Sequence, residues 1–223
     1  MNNNKIYPLV YRSFFTIIAL LGIVFNTKLF TAEFSFKTFL YYTTQSNVVA
    51  LALFVYLLVR TIISIKTRGI KGDASFCPKM TFVIMIDIFL TFIIYWTLIA
   101  PARINTSFNL FSFANITVHA VTPLAVMGEY FIFNKKQNLL AKNMLTVLIY
   151  PAIYTFFTLI LGSFKLVSFK AANDTTSYFP YFFFDYYKYG YVVIVYILAI
   201  AAFILLITYL ISIAIKRKPS LNA

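Results

Sequence analysis

Charge is scarce in this chain. Asp, Glu, Lys and Arg make up 11% of its 223 residues, against about 25% in soluble globular domains. Aromatic and aliphatic residues fill the gap: 61% of the chain is hydrophobic and the mean hydropathy is +0.85. That excludes a disordered chain and an ordinary soluble domain. A single cysteine, Cys77, excludes an intrachain disulfide; it sits in a short basic loop and reads as a free thiol without a role. The six glycines form no phosphate-binding loop, and no G-x-S-x-G elbow occurs. One histidine, His119, with scattered acids makes no metal site and lacks a second partner for a haem. No Gly-, Ser- or Pro-rich linker, no fixed-period repeat and no long flanking stretch interrupts the pattern, so one domain over 1–223 is expected.

What is present is six apolar runs, at about 9–27, 38–59, 80–101, 110–133, 140–162 and 189–215. They predict an all-α fold, a polytopic integral membrane bundle of six transmembrane helices. The first run follows Lys5 and Arg12 as a signal segment would, but it ends Phe25-Asn26-Thr27-Lys28 without a small-x-small cleavage site, so it reads as a retained first span. The basic residues then set an orientation. Lys5 and Arg12, then Arg60, Lys66, Arg68, Lys71 and Lys79, then Lys135, Lys136 and Lys142, then Lys216, Arg217 and Lys218 fall on one side. Only Lys28, Lys37, Arg103, Lys165, Lys170 and Lys188 fall on the other. This bias predicts a cell-membrane protein with both termini cytoplasmic. The net charge of +13 is accounted for by this topology and by contact with anionic membrane lipids, because the basic residues cluster in loops; no nucleic-acid partner is expected.

The second run carries an anomaly. Between Lys37 and Arg60 no residue is charged, yet five polar residues stand together near one end: Thr43, Thr44, Gln45, Ser46 and Asn47. Such groups are costly in a bilayer unless they meet partners. Thr43 and Asn47 are four apart, on one helix face, with Ser46 beside them. With the predicted orientation, Thr43 lies about 8 Å inside the outer edge and His119 about 14 Å down from Asn109. Two polar features from separate helices thus share the outer half of the membrane. Asn115, His119 and Thr122 are spaced to share a face of the fourth helix, and Pro123 frees a backbone carbonyl nearby. Interhelical hydrogen bonding is one use for these side chains. Another is chemistry: a hydroxyl, a base and amide donors are the parts of an acyl-transfer site, and His119 is the only side chain here that is a base near neutral pH.

Other intramembrane polar residues frame this cluster. Three roles are open to Asp87: orienting His119, pairing with a lysine, or facing a wet cavity. Arg103 ends the third span after Pro101 as an interfacial anchor. Glu129 is expected to pair with Lys135 or Lys136 or to be solvated. Asp185 begins the last span within reach of Arg103 or His119. The aromatic string from Tyr178 through Tyr181 to Tyr187 suits either an interfacial cap or a membrane-surface belt.

Four stretches resemble the bacterial "Pr-six-Pr" six-span membrane proteins and, more distantly, the eukaryotic androgen-induced family that includes the androgen-dependent regulator of tissue-factor-pathway inhibitor. They are Tyr41-Tyr42-Thr43-Thr44-Gln45-Ser46-Asn47, His119 with Pro123, Tyr150-Pro151 with Tyr154, and Tyr178 to Asp185. The resemblance implies an intramembrane hydrolase of fatty acid esters of hydroxy fatty acids. Thr43 would be the nucleophile and His119 the base, although Thr44 stands in the next register. Ser46, Asn47 and Asn115 would hold the oxyanion or position these groups, with Asp87, Arg103, Tyr181 and Asp185 supporting them. A lipid-ester or other apolar small molecule would be the substrate, and no metal or cofactor is required. Two other readings stay open: a small transporter or lipid-binding protein in which His119 and Asp87 relay protons, and a scaffold in which the polar groups only lock helices together.

Overall fold

In lipid every backbone polar group must bond within its own segment, so each apolar run closes into a helix. The computed structural model describes residues 4–104, 108–135, 144–170 and 176–216. It contains six helices long and apolar enough to cross a membrane, the layout of an all-α, multi-pass membrane protein. They are α1 Ile6–Thr27, α2 Tyr42–Arg68, α3 Pro78–Ile99, α4 Phe113–Phe133, α5 Leu145–Ser163 and α6 Val192–Ile215. Of the basic residues used above for orientation, Lys136, Lys142, Arg217 and Lys218 lie outside the described residues, as does the expected start of the fifth span at 140.

The second helix differs most from expectation. A 3-10 turn over Phe36–Leu40, with Ser35 Oγ accepting from Lys37 N–H, and an extended Tyr41 precede it. The polar run therefore forms the first turns of α2 instead of lying about 8 Å inside a span. At its other end α2 continues past Arg60 to Arg68, because Thr61 and Ser64 are buried while Arg60 and Lys66 face outward; it stops at Gly69, whose φ of 73° suits a residue without Cβ. Helix α4 starts at Phe113, capped by Ser112, so about 9 Å of helix precedes His119.

The chain forms two compact units, Met1–Gln137 and Asn138–Ala223. In the first, α1 packs on α2, α2 on α3, α3 on α4 and α4 back on α1, which closes a four-helix ring. Helices α1 and α4 approach closely at two glycines: Gly22 lies against Thr117, and Gly128 against Tyr11, whose hydroxyl donates to Ala125 O at 2.7 Å. At the end of this unit where α1 begins, Arg12 and Glu129 form a fully buried ion pair. Arg12 Nε and Nη2 donate to the two carboxylate oxygens at 3.0 and 2.6 Å, and the remaining guanidinium groups donate to Thr61 Oγ1 and Ala74 O. Asn134 Nδ2 completes the shell at 3.0 Å from Glu129 Oε1. The expectation that Glu129 pairs with Lys135 or is solvated is thus corrected, since Lys135 reaches Asp73 instead, at 2.8 Å, and Lys136 lies outside the described residues. An isolated buried carboxylate is too costly to keep charged, so it takes the guanidinium that the helix ring brings beside it.

The second unit holds α5 and α6 joined by a segment that includes a two-residue hairpin, β1 Phe169–Lys170 against β2 Thr176–Ser177. The aromatic string folds inward here: Phe179, Phe183 and Phe184 are buried, while Phe182 and Tyr187 are exposed. Phe179 lies across Gly162, leaving no room for a Cβ. Gly162→Ala should therefore force this ring aside and cost about 1–3 kcal/mol, read as a lowered midpoint of thermal unfolding in detergent; an unchanged midpoint would show that the ring is not locked.

Candidate functional site

Pro123 has no N–H to give to the preceding turn, and the helix before it opens into a π turn over Thr117–Val121, closed by Thr122 N–H on Thr117 O. An α register leaves the His119 carbonyl without its donor at Pro123; a π register leaves the Val118 carbonyl without one. Both are met from neighbouring helices. Asn47 Nδ2 on α2 donates to Val118 O at 2.9 Å, and Trp96 Nε1 on α3 donates to His119 O at 3.1 Å. Helix α3 repeats the device: Ala100 N–H closes a π turn over Tyr95–Ile99 on Tyr95 O, again one residue before a proline, Pro101. Such turns are frequent at functional sites.

His119 is buried at this junction. Its Nδ1 lies 3.0 Å from Asn115 O. A carbonyl only accepts, so Nδ1 carries the proton and the lone pair is on Nε2. Among the described residues no hydrogen bond reaches Nε2. The Tyr95 ring stacks on the imidazole with centroids 3.5 Å apart and planes 19° from parallel. The extra residue of the π turn rotates Thr122 by about 100° off the face expected from α spacing, and its hydroxyl is buried without a partner among the described residues.

On α2, the second N–H of Asn47 donates to Thr43 O at 2.8 Å, and Ser46 Oγ donates to the same carbonyl at 3.1 Å while pairing with Thr91 Oγ1 at 2.9 Å. Asn47 thus ties the backbone of Thr43 to the turn that carries His119. Both of its amide hydrogens are committed, and so is the Ser46 proton, which removes these two residues as oxyanion donors and leaves them positioning roles. Asn115 Nδ2 bonds Leu110 O at 2.7 Å. Thr44 Oγ1 accepts from Asn26 on α1, at 3.4 Å. Among the described residues no hydrogen bond joins Thr43 directly to His119.

The remaining expected residues fall at varied places. Asp87 is buried on α3; Tyr42 hydroxyl donates to its backbone carbonyl at 3.3 Å, and its Oδ1 has no hydrogen-bond partner among the described residues. The guanidinium of Arg103 lies over the Phe108 ring, 4.5 Å from its centroid. It also acts on Tyr41, whose phenol is pushed up by burial and pulled back by this cation. Tyr181 and Asp185 belong to the second unit. Tyr181 stacks on Phe183 at 5.2 Å, and Asp185 accepts from Ser177 Oγ at 2.8 Å and from Lys188 N–H at 3.2 Å as the cap of a short helix. Beside α3, burial pushes the Cys77 thiol up, offset by a hydrogen bond with Thr81, so it is a poor nucleophile. Tyr95, Trp96 and Thr91 went unnoticed in the sequence; the signal that points to them is the pair of prolines, Pro101 and Pro123, near or within apolar spans.

No family model, no curated protein and no solved structure matches this chain.

Proposed function

We propose that this multi-pass membrane protein is an intramembrane hydrolase of lipid esters, with fatty acid esters of hydroxy fatty acids as the substrate class, similar to the bacterial Pr-six-Pr proteins and more distantly to the eukaryotic androgen-induced family. The observation that carries this reading is the state of His119: one ring nitrogen is tied to Asn115 O, and among the described residues no hydrogen bond reaches the other. In the reaction, Thr43 Oγ attacks the ester carbonyl and His119 Nε2 takes the hydroxyl proton. Collapse of the tetrahedral intermediate breaks the C–O bond of the ester, and the imidazolium returns that proton to the leaving alcohol. Water activated by the same nitrogen then releases the fatty acid from threonine. Asn47 sets the register between the two catalytic helices. The positive-inside bias favours a cell-membrane location with cytoplasmic termini, which puts Thr43 toward the outer face, with membrane lipids as the surroundings.

A scaffold would be expected to pair its buried polar groups across helices. Here Asn47 Oδ1, Tyr95 Oη and Asp87 Oδ1 are buried without hydrogen-bond partners among the described residues, which favours a site that takes a ligand. Labelling of the detergent-purified protein with a fluorophosphonate probe tests the reading. Wild type is expected to be labelled and Thr43→Ala and His119→Ala to be silent while the helix bundle stays folded. An unlabelled wild type, or a Thr43→Ala variant labelled like wild type, would remove the threonine nucleophile.

A further inference from the structure

Resting on the hydrolase reading, we infer that Tyr95 is a further catalytic residue whose hydroxyl donates a hydrogen bond to the carbonyl oxygen of an ester bound beside His119. The side chain is 3% exposed, and its hydroxyl has no hydrogen-bond partner among the described residues. Buried hydroxyls are nearly always paired, so an orphan in this position calls for a partner that binds. The groups expected from sequence to meet an oxyanion cannot all do so: the Asn47 amide hydrogens are spent on Thr43 O and Val118 O, and the Ser46 proton on Thr43 O or Thr91. Asn47 Oδ1, the orphan atom on α2, is an acceptor and offers an oxyanion nothing.

Tyr95 has the complementary properties. A phenol is a donor, and one whose ring is fixed is a preorganised donor. Here the ring is fixed by its stack on the imidazole and by the edge-on Trp96 ring, 5.2 Å away. Trp96 is itself anchored on His119 O. The π turn that begins at Tyr95 sets both residues against the π turn of α4. The stack holds the phenol against the imidazole that the hydrolase reading makes the base. The Asn115 side chain lies beside the phenol hydroxyl and interacts with it. Its amide gives one N–H to Leu110 O.

The test uses Tyr95→Phe, which keeps the stacked ring and removes only the hydroxyl. A palmitic acid ester of hydroxystearic acid, labelled with ¹³C at the ester carbonyl, is bound to Thr43→Ala protein with and without Tyr95→Phe and read by infrared difference spectroscopy. The expected result is a carbonyl band at lowered frequency in Thr43→Ala that is lost when Tyr95→Phe is added. On the otherwise native protein, Tyr95→Phe is expected to lower kcat by about 100- to 1,000-fold with little change in KM. The same carbonyl band in both proteins, or no lowered band in either, overturns the assignment. The hydrolase reading fails separately, by an absence of turnover in wild type that still shows the Tyr95-dependent band.

Discussion

Replacing His119 with glutamine is expected to lower lipid-ester turnover by about 10²- to 10⁴-fold, the range over which a positioned general base accelerates a proton transfer. Glutamine is close to histidine in size and carries an amide hydrogen that can still reach Asn115 O. It cannot accept a proton near neutral pH. The local architecture should survive, because the π turn around His119 is held through backbone carbonyls: Asn47 meets Val118 O and Trp96 meets His119 O. The loss should therefore appear in kcat, with thermal unfolding of the detergent-solubilised protein near that of wild type. Turnover equal to wild type would exclude His119 as the base. A large fall in unfolding temperature would instead show that the imidazole is a structural member of the helix junction.

The second large effect concerns stability. Glu129→Ala should destabilise the protein by about 3–5 kcal/mol, because it leaves Arg12 as an uncompensated buried charge. Arg12 is fully buried, and its guanidinium joins α1 to α2 through Thr61, to the α2–α3 connection through Ala74 and to α4 through Glu129. The rings of Phe76 and Phe133 flank it at 5.6 and 5.9 Å. Loss of one partner strands all of these contacts at once. Removing both charges, as in Arg12→Met with Glu129→Leu, should recover most of the loss, since buried ion pairs are often replaceable by apolar side chains of similar volume. Denaturant titration of the three proteins in one detergent decides the matter. Equal destabilisation in the single and double variants would mean that the pair, and not the unpaired charge, carries the energy. The network sits about 20 Å along α2 from Asn47, so a double variant that refolds should keep its labelling by the fluorophosphonate probe.

Much of the architecture was legible before any coordinates. Six apolar runs in a chain this poor in charge have one low-energy solution in a bilayer, and among the described residues six helices are long and apolar enough to span it. The polar run of α2 and His119 also announced themselves, because a polar group in an apolar run has few structural excuses. Helix ends were less legible. Apolar length marks where a chain can enter lipid, whereas helix length depends on caps and turns: α2 begins late because Ser35 and Tyr41 build a turn before it, and ends late because Thr61 and Ser64 are buried on its packed face.

What the sequence determined by itself was the kind of residue available at each position: one base, one polar run, and prolines that deprive a preceding turn of a donor. Which groups meet was decided by tertiary structure alone. Asn47 and Trp96 lie 71 and 23 residues from the carbonyls they satisfy, and no local pattern specifies such pairings. The same holds for Arg12 and Glu129, 117 residues apart. Glu129 looked ready to pair with the lysines that follow it in sequence, but Lys135 lies exposed to water just past the helix end, where an ion pair gains little. The carboxylate instead faces the interior of the helix ring, where desolvation makes a partner obligatory and Arg12 is the cation that the packing delivers.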